Sequence, residues 1–394
     1  MDVICFHPGG GSILRQMLRY LYIIIWITLT ATAVCVAQEA EIQQSSAWPA
    51  LMTSIKIEQP IAFCGEAVDV KNQEVRERLE KELLIALWDR PQVILWIKRS
   101  PRYLPIIEKM LHENGMPDDL KYVAIVESAL RPHAGSHKGA IGFWQFLKPT
   151  GEKYGLRINA EIDERRNIFA SSLAAISYFK ELYATLQSWT LAAAAFNMGE
   201  LGLQAEMVSQ KSNDFYQLYL PLETQRYVFR VIAAKIILSD PQRFGFQFTD
   251  QDLYPPLQFD RIYIECFQDT PIHVVAGAAN TSFKVIKDLN PEIRGHFLAA
   301  GSHNLLVPKG SSEGFNARFK QLVQQWLAEN NERVYVVKEG DNLTSIAERF
   351  NIPLPALLIW NRIDGKEPIH PGDRIVIYPN EMTIDSTTTP PDDR

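Results

Sequence analysis

Cysteine is scarce in this chain, and so are excess basic charge and long apolar runs. Four cysteines stand in 394 residues, too few for a small domain stapled by disulfides. Lysine and arginine number 40 against 46 aspartates and glutamates, a net charge of −6. That balance excludes the broad basic face of a nucleic-acid binder. It gives no help in holding an acidic polymer either, so such a ligand has to be held by a shaped groove. The apolar run Leu21 to Leu29 falls short of the about 20 residues of a membrane-spanning helix. His133 and His137 lack Cys, Asp or Glu at ligand spacing, so they read as a solvated loop, and no metal or other cofactor is expected.

Arg15 and Arg19 precede that run, and the small residues Ala31, Ala33 and Ala37 follow it. Basic, then apolar, then small is the order of a secretory signal, here over residues 1–37, with Met17 the more typical start. Export to the periplasm is expected. Membrane association is an open alternative: Cys35 could carry a lipid, but Val34 before it is bulkier than such sites want. Removing the leader takes Cys5 and Cys35 with it, and leaves Cys64 and Cys266 either to pair or to stay free. The remaining length allows two or three domains, and 46% hydrophobic residues are ample for real cores.

The most informative residue is an acid placed where a helix should bury apolar side chains. Pro117 suits a helix start, and Asp118 and Asp119 suit the positive end of its dipole. Leu120, Val123, Ala124 and Glu127 then share one face at i, i+3, i+4 and i+7, flanked by Tyr122, Ile125 and Val126. An acid in that setting tends to keep its proton. It reads either as a general acid or as half of an ion pair with Lys121 or Arg131. Beyond it, Pro132 stops the helix, and glycines at 135, 139 and 142 let the backbone pass close to a neighbour. Phe143, Trp144, Gln145 and Phe146 then arrive together, apolar on one side and hydrogen-bonding on the other, as a sugar-binding surface is.

These residues resemble the lytic transglycosylases that share the goose-type lysozyme fold. The pair Glu127-Ser128, the run from Gly139 to Phe146 and the run Thr150-Gly151 to Tyr154-Gly155-Leu156 match the first two signatures. Ala195-Phe196-Asn197-Met198-Gly199-Glu200 matches the third, with Phe196 where the family more often has Tyr; any hydrogen bond from that hydroxyl is absent. Glu223-Thr224-Gln225-Arg226-Tyr227-Val228 matches the fourth. The four motifs stand in order between Tyr103 and Leu238. The resemblance implies a mainly α, lysozyme-like (goose-type/SLT) catalytic domain over 101–248, preceded by a helical extension at 38–100.

After Pro255-Pro256 the texture changes to short strands around short helices. Val334 to Val337 reads as a strand, Leu343 to Phe350 and Leu357 to Asn361 as helices, and Arg374 to Tyr378 as a closing strand. This α+β unit (βααβ) over 334–379 resembles the LysM family, which grips N-acetylglucosamine polymers. Ile272 to Val275, Val285-Ile286, Leu289-Asn290-Pro291 and Leu305 to Pro308 repeat the cadence, so 262–310 reads as a degenerate second copy without the Gly-Asp turn. Residues 311–333 read as a helical linker carrying Phe319, Leu322, Val323 and Trp326. The Thr/Pro/Asp-rich residues 380–394 read as a disordered tail.

Glycosidases usually pair two carboxylates. Glu152, Glu161, Asp163, Glu164, Glu200 and Glu223 are available as a second, but none has the apolar frame of Glu127. The resemblance implies that one suffices. Glu127 would protonate the bond between N-acetylmuramic acid and N-acetylglucosamine, then take the proton of the muramic 6-hydroxyl to close a 1,6-anhydro ring. Ser128, Gln145, Phe196, Asn197 and Tyr227 are implied near the reacting sugar, Tyr227 orienting Glu127 and Glu223 being structural. In the LysM the expected glycan contacts are Gly340, Asp341, Asn342 and Leu343, with Ile369, Pro371 and Gly372. The expected partner is the glycan strand of peptidoglycan, met by a monomer. Two rivals remain: a hydrolytic goose-type muramidase, and a non-catalytic wall-binding scaffold.

Overall fold

The computed structural model describes residues 51–57, 60–330, 334–361, 363 and 368–377. The expected leader and tail lie outside them. Among the described residues no helix is long and apolar enough to cross a membrane. Residues 51–57 and 239–247 belong to a compact unit of their own, in which the Arg243 guanidinium donates to the Lys56 carbonyl.

Apolar stripes build the helices of the larger unit. Helix α1 (Gln73–Trp88) starts where the Asn72 side chain accepts from the N–H groups of Glu74 and Val75, and it buries Val75, Leu79, Leu83 and Leu87. Helix α2 (Arg90–Glu113) starts at the Asp89 cap and buries Val93, Ile97, Leu104, Ile107 and Leu111. A 3-10 turn (Asp118–Leu120) leads into α3 (Lys121–Ser128), so Pro117 opens that turn rather than the α-helix itself. Next come α4 (Lys148–Lys153), α5 (Ile168–Leu186), α6 (Trp189–Met198), α7 (Glu200–Gln210) and α8 (Leu222–Ser239). Ala192 to Ala195 on α6 are wholly buried, which is what lets α5 and α6 approach closely.

The stretch read as a helical extension also contains a hairpin, β1 (Ile61–Phe63) paired with β2 (Glu66–Val68). Its Glu66 has a defined task. The carboxylate accepts from the N–H groups of Trp189 at 2.5 Å and Thr190 at 3.2 Å, placing negative charge on the positive end of α6.

Downstream, β3 (Phe259–Cys266), β4 (Thr270–Pro271), α9 (Ile272–Ala278), α10 (Phe283–Leu289), β5 (Phe297–Leu298) and β6 (Gly301–Pro308) follow in order. Strands β3 and β6 pair antiparallel from Phe259–Pro308 to Cys266–Gly301. The run Ile272 to Val275 is therefore helical, not the first strand. That strand lies upstream, where Ile262, Ile264 and Cys266 point inward in alternation with Arg261, Tyr263 and Glu265. Near-complete burial of α9 overrides the strand preference of its β-branched residues. Helix α11 (Phe315–Asn330) lays Phe315, Phe319, Leu322, Val323 and Trp326 on the same core, so the expected linker is docked on the first module. A second module comprises β7 (Val334–Val336), α12 (Leu343–Arg349), α13 (Leu354–Asn361) and β8 (Arg374–Val376), with its own core around Ile346, Leu357 and Ile375.

One asparagine clasps each module in the same way. Asn290 Nδ2 donates to the carbonyls of Ile286 and Leu306, and its Oδ1 accepts from the Leu306 N–H, each at 2.8 Å. Asn361 does the same with Leu357, Val376 and the Val376 N–H at 2.9, 2.8 and 2.6 Å. The two modules thus share this clasp. Asn290→Ala leaves two buried backbone groups of Leu306 unpaired, a cost of roughly 2–4 kcal/mol. Thermal unfolding is expected to show a lowered midpoint for that variant; an unchanged midpoint would mean that the clasp does not hold the module.

Candidate active site

Helix α3 delivers Glu127 and stops at once. Ala129 and Leu130 both adopt left-handed backbone, at φ 51° and 57°, a conformation that costs a residue with a Cβ about 1 kcal/mol or more. Two guanidinium groups hold the corner: Arg99 Nη1 donates to the Ala129 carbonyl and Arg131 Nε to that of Ser128, both at 3.1 Å. Lys121 is engaged by Glu108 and Asp118 at 2.7 and 2.6 Å. Neither basic candidate pairs with Glu127, and the ion-pair reading falls away.

The partner of Glu127 is Tyr227, one turn into α8, whose hydroxyl donates to Oε1 at 2.6 Å. Tyr227 is buried, and that burial, with Glu127 beside it, holds its hydroxyl well above the ordinary tyrosine range. Burial likewise pushes Glu127 up to about 7, against the Tyr227 hydrogen bond and the charge of Arg230; Glu223 adds to the rise. A carboxyl so tuned is part acid and part base near neutral pH.

The loop after α3 forms the facing wall. Ser128 is buried, and its Oγ lies 2.8 Å from the Phe143 carbonyl and 3.1 Å from that of Ala124. Its one proton serves the protein interior, so Ser128 ties helix to loop and does not line the groove, contrary to the sequence expectation. Trp144 is buried with Nε1 donating to Ser172 Oγ at 3.0 Å. Gly142, at φ +86°, packs so tightly that a Cβ there would stand 1.8 Å from the Arg165 carbonyl oxygen; only glycine fits. Arg165 is itself buried. It is held by Asp163 through two contacts at 2.8 Å, and its Nη1 reaches the carbonyls of Gly139 and Phe146 at 3.0 and 3.1 Å.

Between this loop and α6 runs a groove of about 480 Å³ with Glu127, Gln145, Phe196, Asn197 and Glu223 among its lining residues. Gln145 spends both amide protons on the carbonyls of Ala134 and Gly142, which leaves its Oε1 for a ligand. Asn197 Oδ1 accepts from Thr224 Oγ1 at 2.9 Å, which leaves its Nδ2. Phe196 stacks on Phe179 with centroids 4.7 Å apart; its ring has aromatic neighbours without the hydroxyl. Tyr178 and Glu223 are among the groove residues the sequence reading missed. Tyr178, from α5, lies 5.4 Å from the Phe196 ring. Glu223 was taken as structural, yet it lines the groove and meets Lys138 at 3.8 Å. The signal was present: Glu223 and Tyr227 are i and i+4 on one helix face. Of the other carboxylates considered, Asp163 serves Arg165, Glu164 serves Arg157 and Glu152 serves Lys148.

The first module buttresses this wall. The Glu292 carbonyl accepts from the Asp163 N–H, Glu292 Oε1 accepts from Asn167 Nδ2, and the Glu161 carbonyl accepts from the Arg294 N–H, each at 2.8 Å. Asn167 in turn caps α5. Cys64 and Cys266 are both free thiols, so no bridge links them. Among the described residues no cluster of three or more His, Cys, Asp or Glu could hold a metal.

The expected glycan residues of the second module divide in two. Asp341 accepts from the Lys338 N–H at 2.8 Å and from the Tyr335 hydroxyl at 2.6 Å, and Asn342 caps α12. The Asp341 carboxylate and Asn342 Oδ1 build the turn. Leu343 and Ile369 pack on the module core. Gly340, Pro371 and Gly372 remain as backbone turn positions, and Val337 bonds to Gly372 and Asp373.

Residues 105–218 match the family model for the transglycosylase SLT domain, and residues 335–377 match the LysM domain. The class is thus an SLT-domain protein with a C-terminal LysM. Over 335 residues the chain is 31% identical to the membrane-bound lytic murein transglycosylase D of Escherichia coli strains K12 and O6:H1, covering 80% of this chain and 72% of those proteins. The chain belongs to that family. A putative tributyltin chloride resistance protein of Alteromonas is 29% identical over 134 residues, 33% of this chain and 64% of that one. Among solved structures, the 70 kDa soluble lytic transglycosylase of Escherichia coli aligns over 47% of this chain and 31% of its own, with 15% identity and a TM-score of 0.33.

Burial of an ionisable acid has a thermodynamic signature. With a folded value near 7 against the ordinary 4.5, Glu127 holds its proton more tightly folded than unfolded. Its contribution is fully present below about pH 4.5 and is lost as pH rises through about 7, at most about 3 kcal/mol. Glu127→Gln escapes that loss. Its melting temperature is expected to exceed that of the unsubstituted chain at pH 8, with the gap closing at pH 4; equal melting temperatures at pH 8 would contradict a buried, raised carboxyl.

Proposed function

We propose that this enzyme cleaves the β-1,4 bond between N-acetylmuramic acid and N-acetylglucosamine without water. The observation that carries this reading is Glu127, pushed up to about 7 and hydrogen-bonded by Tyr227 at the groove. Protonated Glu127 gives its proton to the glycosidic oxygen as the bond to muramic C1 breaks, and the N-acetylglucosamine side leaves as an alcohol. The acetamido oxygen of the muramic sugar supports the cationic C1. Glu127, now a carboxylate, takes the proton of the 6-hydroxyl as that oxygen bonds to C1, which restores the acid and yields a 1,6-anhydro end. Donor and acceptor are one residue, so a value near ambient pH serves both steps.

The groove amides divide the remaining work. Gln145 Oε1 is suited to accept from a substrate N–H or O–H, and Asn197 Nδ2 to donate to an acetamido carbonyl. Phe196 and Tyr178 give the sugar an apolar floor. The LysM is proposed to hold the same glycan away from the groove, through backbone at Gly340 and at Pro371-Gly372. The catalytic domain is proposed to end near residue 248, with the first module running from β3 through α11 and the second from β7 to β8. The relatives are described as membrane-bound, which supports an envelope location.

A hydrolytic muramidase needs a second carboxylate to hold water, and Glu223 is the one in the groove. Mass spectrometry of muropeptides released from purified sacculi separates the two. Products ending in 1,6-anhydromuramic acid are expected, and Glu223→Gln is expected to leave that end unchanged; reducing ends would assign a hydrolase. Glu127→Gln should lose cleavage by about a hundredfold or more while still binding sacculi. For the unsubstituted enzyme kcat/KM is expected to fall as pH rises above about 7, where the free enzyme loses the proton it must donate. Tyr227→Phe removes a bond that favours the carboxylate and should move this limb upward; an unmoved limb would detach Tyr227 from the acid.

A further inference from the structure

A cleft of about 260 Å³ opens between α1, α2, α3 and α8, on the side of the catalytic helix that carries Val126. We propose that this cleft binds an amino-acid head group, its carboxylate and ammonium held at Arg230 and Asp89. The apolar part of the lining is Ile85, Ala86, Trp96, Val126 and Ala233, a surface for an aliphatic side chain. The polar part is not self-satisfied. Glu82 and Arg226 neutralise one another through contacts at 2.6 and 3.0 Å. Arg230, by contrast, has no hydrogen bond or ion pair among the described residues. Asp89 makes a single long contact, accepting from the Gln92 N–H at 3.3 Å. Gln92 Nε2 is buried with no acceptor, and Gln92 belongs to the same lining.

A lone exposed arginine would read as solvated surface. Here a cation with no hydrogen bond or ion pair among the described residues, its charge reaching Glu127, a barely engaged anion and an orphan buried donor surround one apolar pocket, and that combination matches a zwitterion on a short aliphatic body. A simple anion would leave Asp89 facing it, and a simple cation would leave Arg230. The volume sits just below the about 300 Å³ at which small-molecule pockets begin, which suits one amino acid rather than a sugar chain. Two sources carry this chemistry: free amino acids, and the amino-acid head left on a wall peptide. Only the second rests on the function proposed above.

The test is a nuclear magnetic resonance titration of the Trp96 indole in the full chain. Leucine is the first probe; the second is 2,6-diaminopimelate acylated on one amino group, which presents the same head on a tether. N-acetylleucine and leucinamide each lack one charge, and they are expected to bind about tenfold or more weakly than leucine. Arg230→Ala and Asp89→Asn should weaken leucine to the same degree. Both changes are at exposed side chains, and Asn preserves the helix cap. A response to leucine supports free amino acids as ligand; a response confined to the tethered probe supports the wall peptide. No indole response to either probe, or N-acetylleucine binding as tightly as whichever probe responds, overturns the proposal. Binding is read without cleavage, so its failure and that of the lytic reading are told apart.

Discussion

The groove wall depends on one buried ion pair, Asp163 with Arg165. Taking two charges out of water costs several kcal/mol per ion. That cost is met by hydrogen bonding of every useful group. The Asp163 carboxylate receives Arg165 Nε and Nη2, and Nη1 of the same guanidinium reaches two carbonyls of the loop that carries Gln145. Burial alone would raise Asp163; the Arg165 bonds hold it below the usual carboxylate value. Gly142 lies against the Arg165 backbone, so loop and ion pair are one packed object. Removal of either charge would strand the other in the interior, a loss of about 3–5 kcal/mol in such settings.

Glu127 is the opposite solution to burying an acid. It is hydrogen-bonded by a neutral hydroxyl in place of a cation, with the charge of Arg230 felt but not in contact, and the two basic groups nearest in sequence are engaged elsewhere. Lys121 is shared by Glu108 and Asp118, and Arg131 is turned onto a carbonyl. The same interior thus contains one carboxylate locked in its charged form and one left free to hold a proton. Proton transfer needs the second kind; a rigid wall needs the first.

Much of this was legible in the residues. The i, i+3, i+4, i+7 stripe ending in Glu127 defined both the helix and its misfit, and the Gly-aromatic run defined the wall. What stayed hidden was the outcome of competition. Ser128 follows the acid in sequence, but its hydroxyl turns inward to the Phe143 carbonyl. Ile272 to Val275 has the composition of a strand, yet it forms a helix that buries Ile272, Val274 and Val275 in the module core and leaves His273 outside. The true first strand, with its inward Ile262, Ile264 and Cys266, alternates plainly enough to have been found. Glu66 capping α6 from more than a hundred residues away left no local trace, since long-range caps have no sequence spacing. The Asn290 and Asn361 clasps did leave one, each an asparagine closing a short apolar helix before a strand.

The first module's contacts with the catalytic wall bear on how the chain could be divided. Its core includes Ile162 from the catalytic segment, and its Glu292 meets both Asp163 and Asn167. A fragment ending near residue 248, where the lysozyme-like motifs stop, would expose Ile162 to water and leave the Asn167 amide without its acceptor. The border visible in family motifs is therefore not a border of cooperative unfolding. An autonomous catalytic fragment would have to carry its neighbour as far as α11, and a protease nick between the two would loosen the groove from outside it.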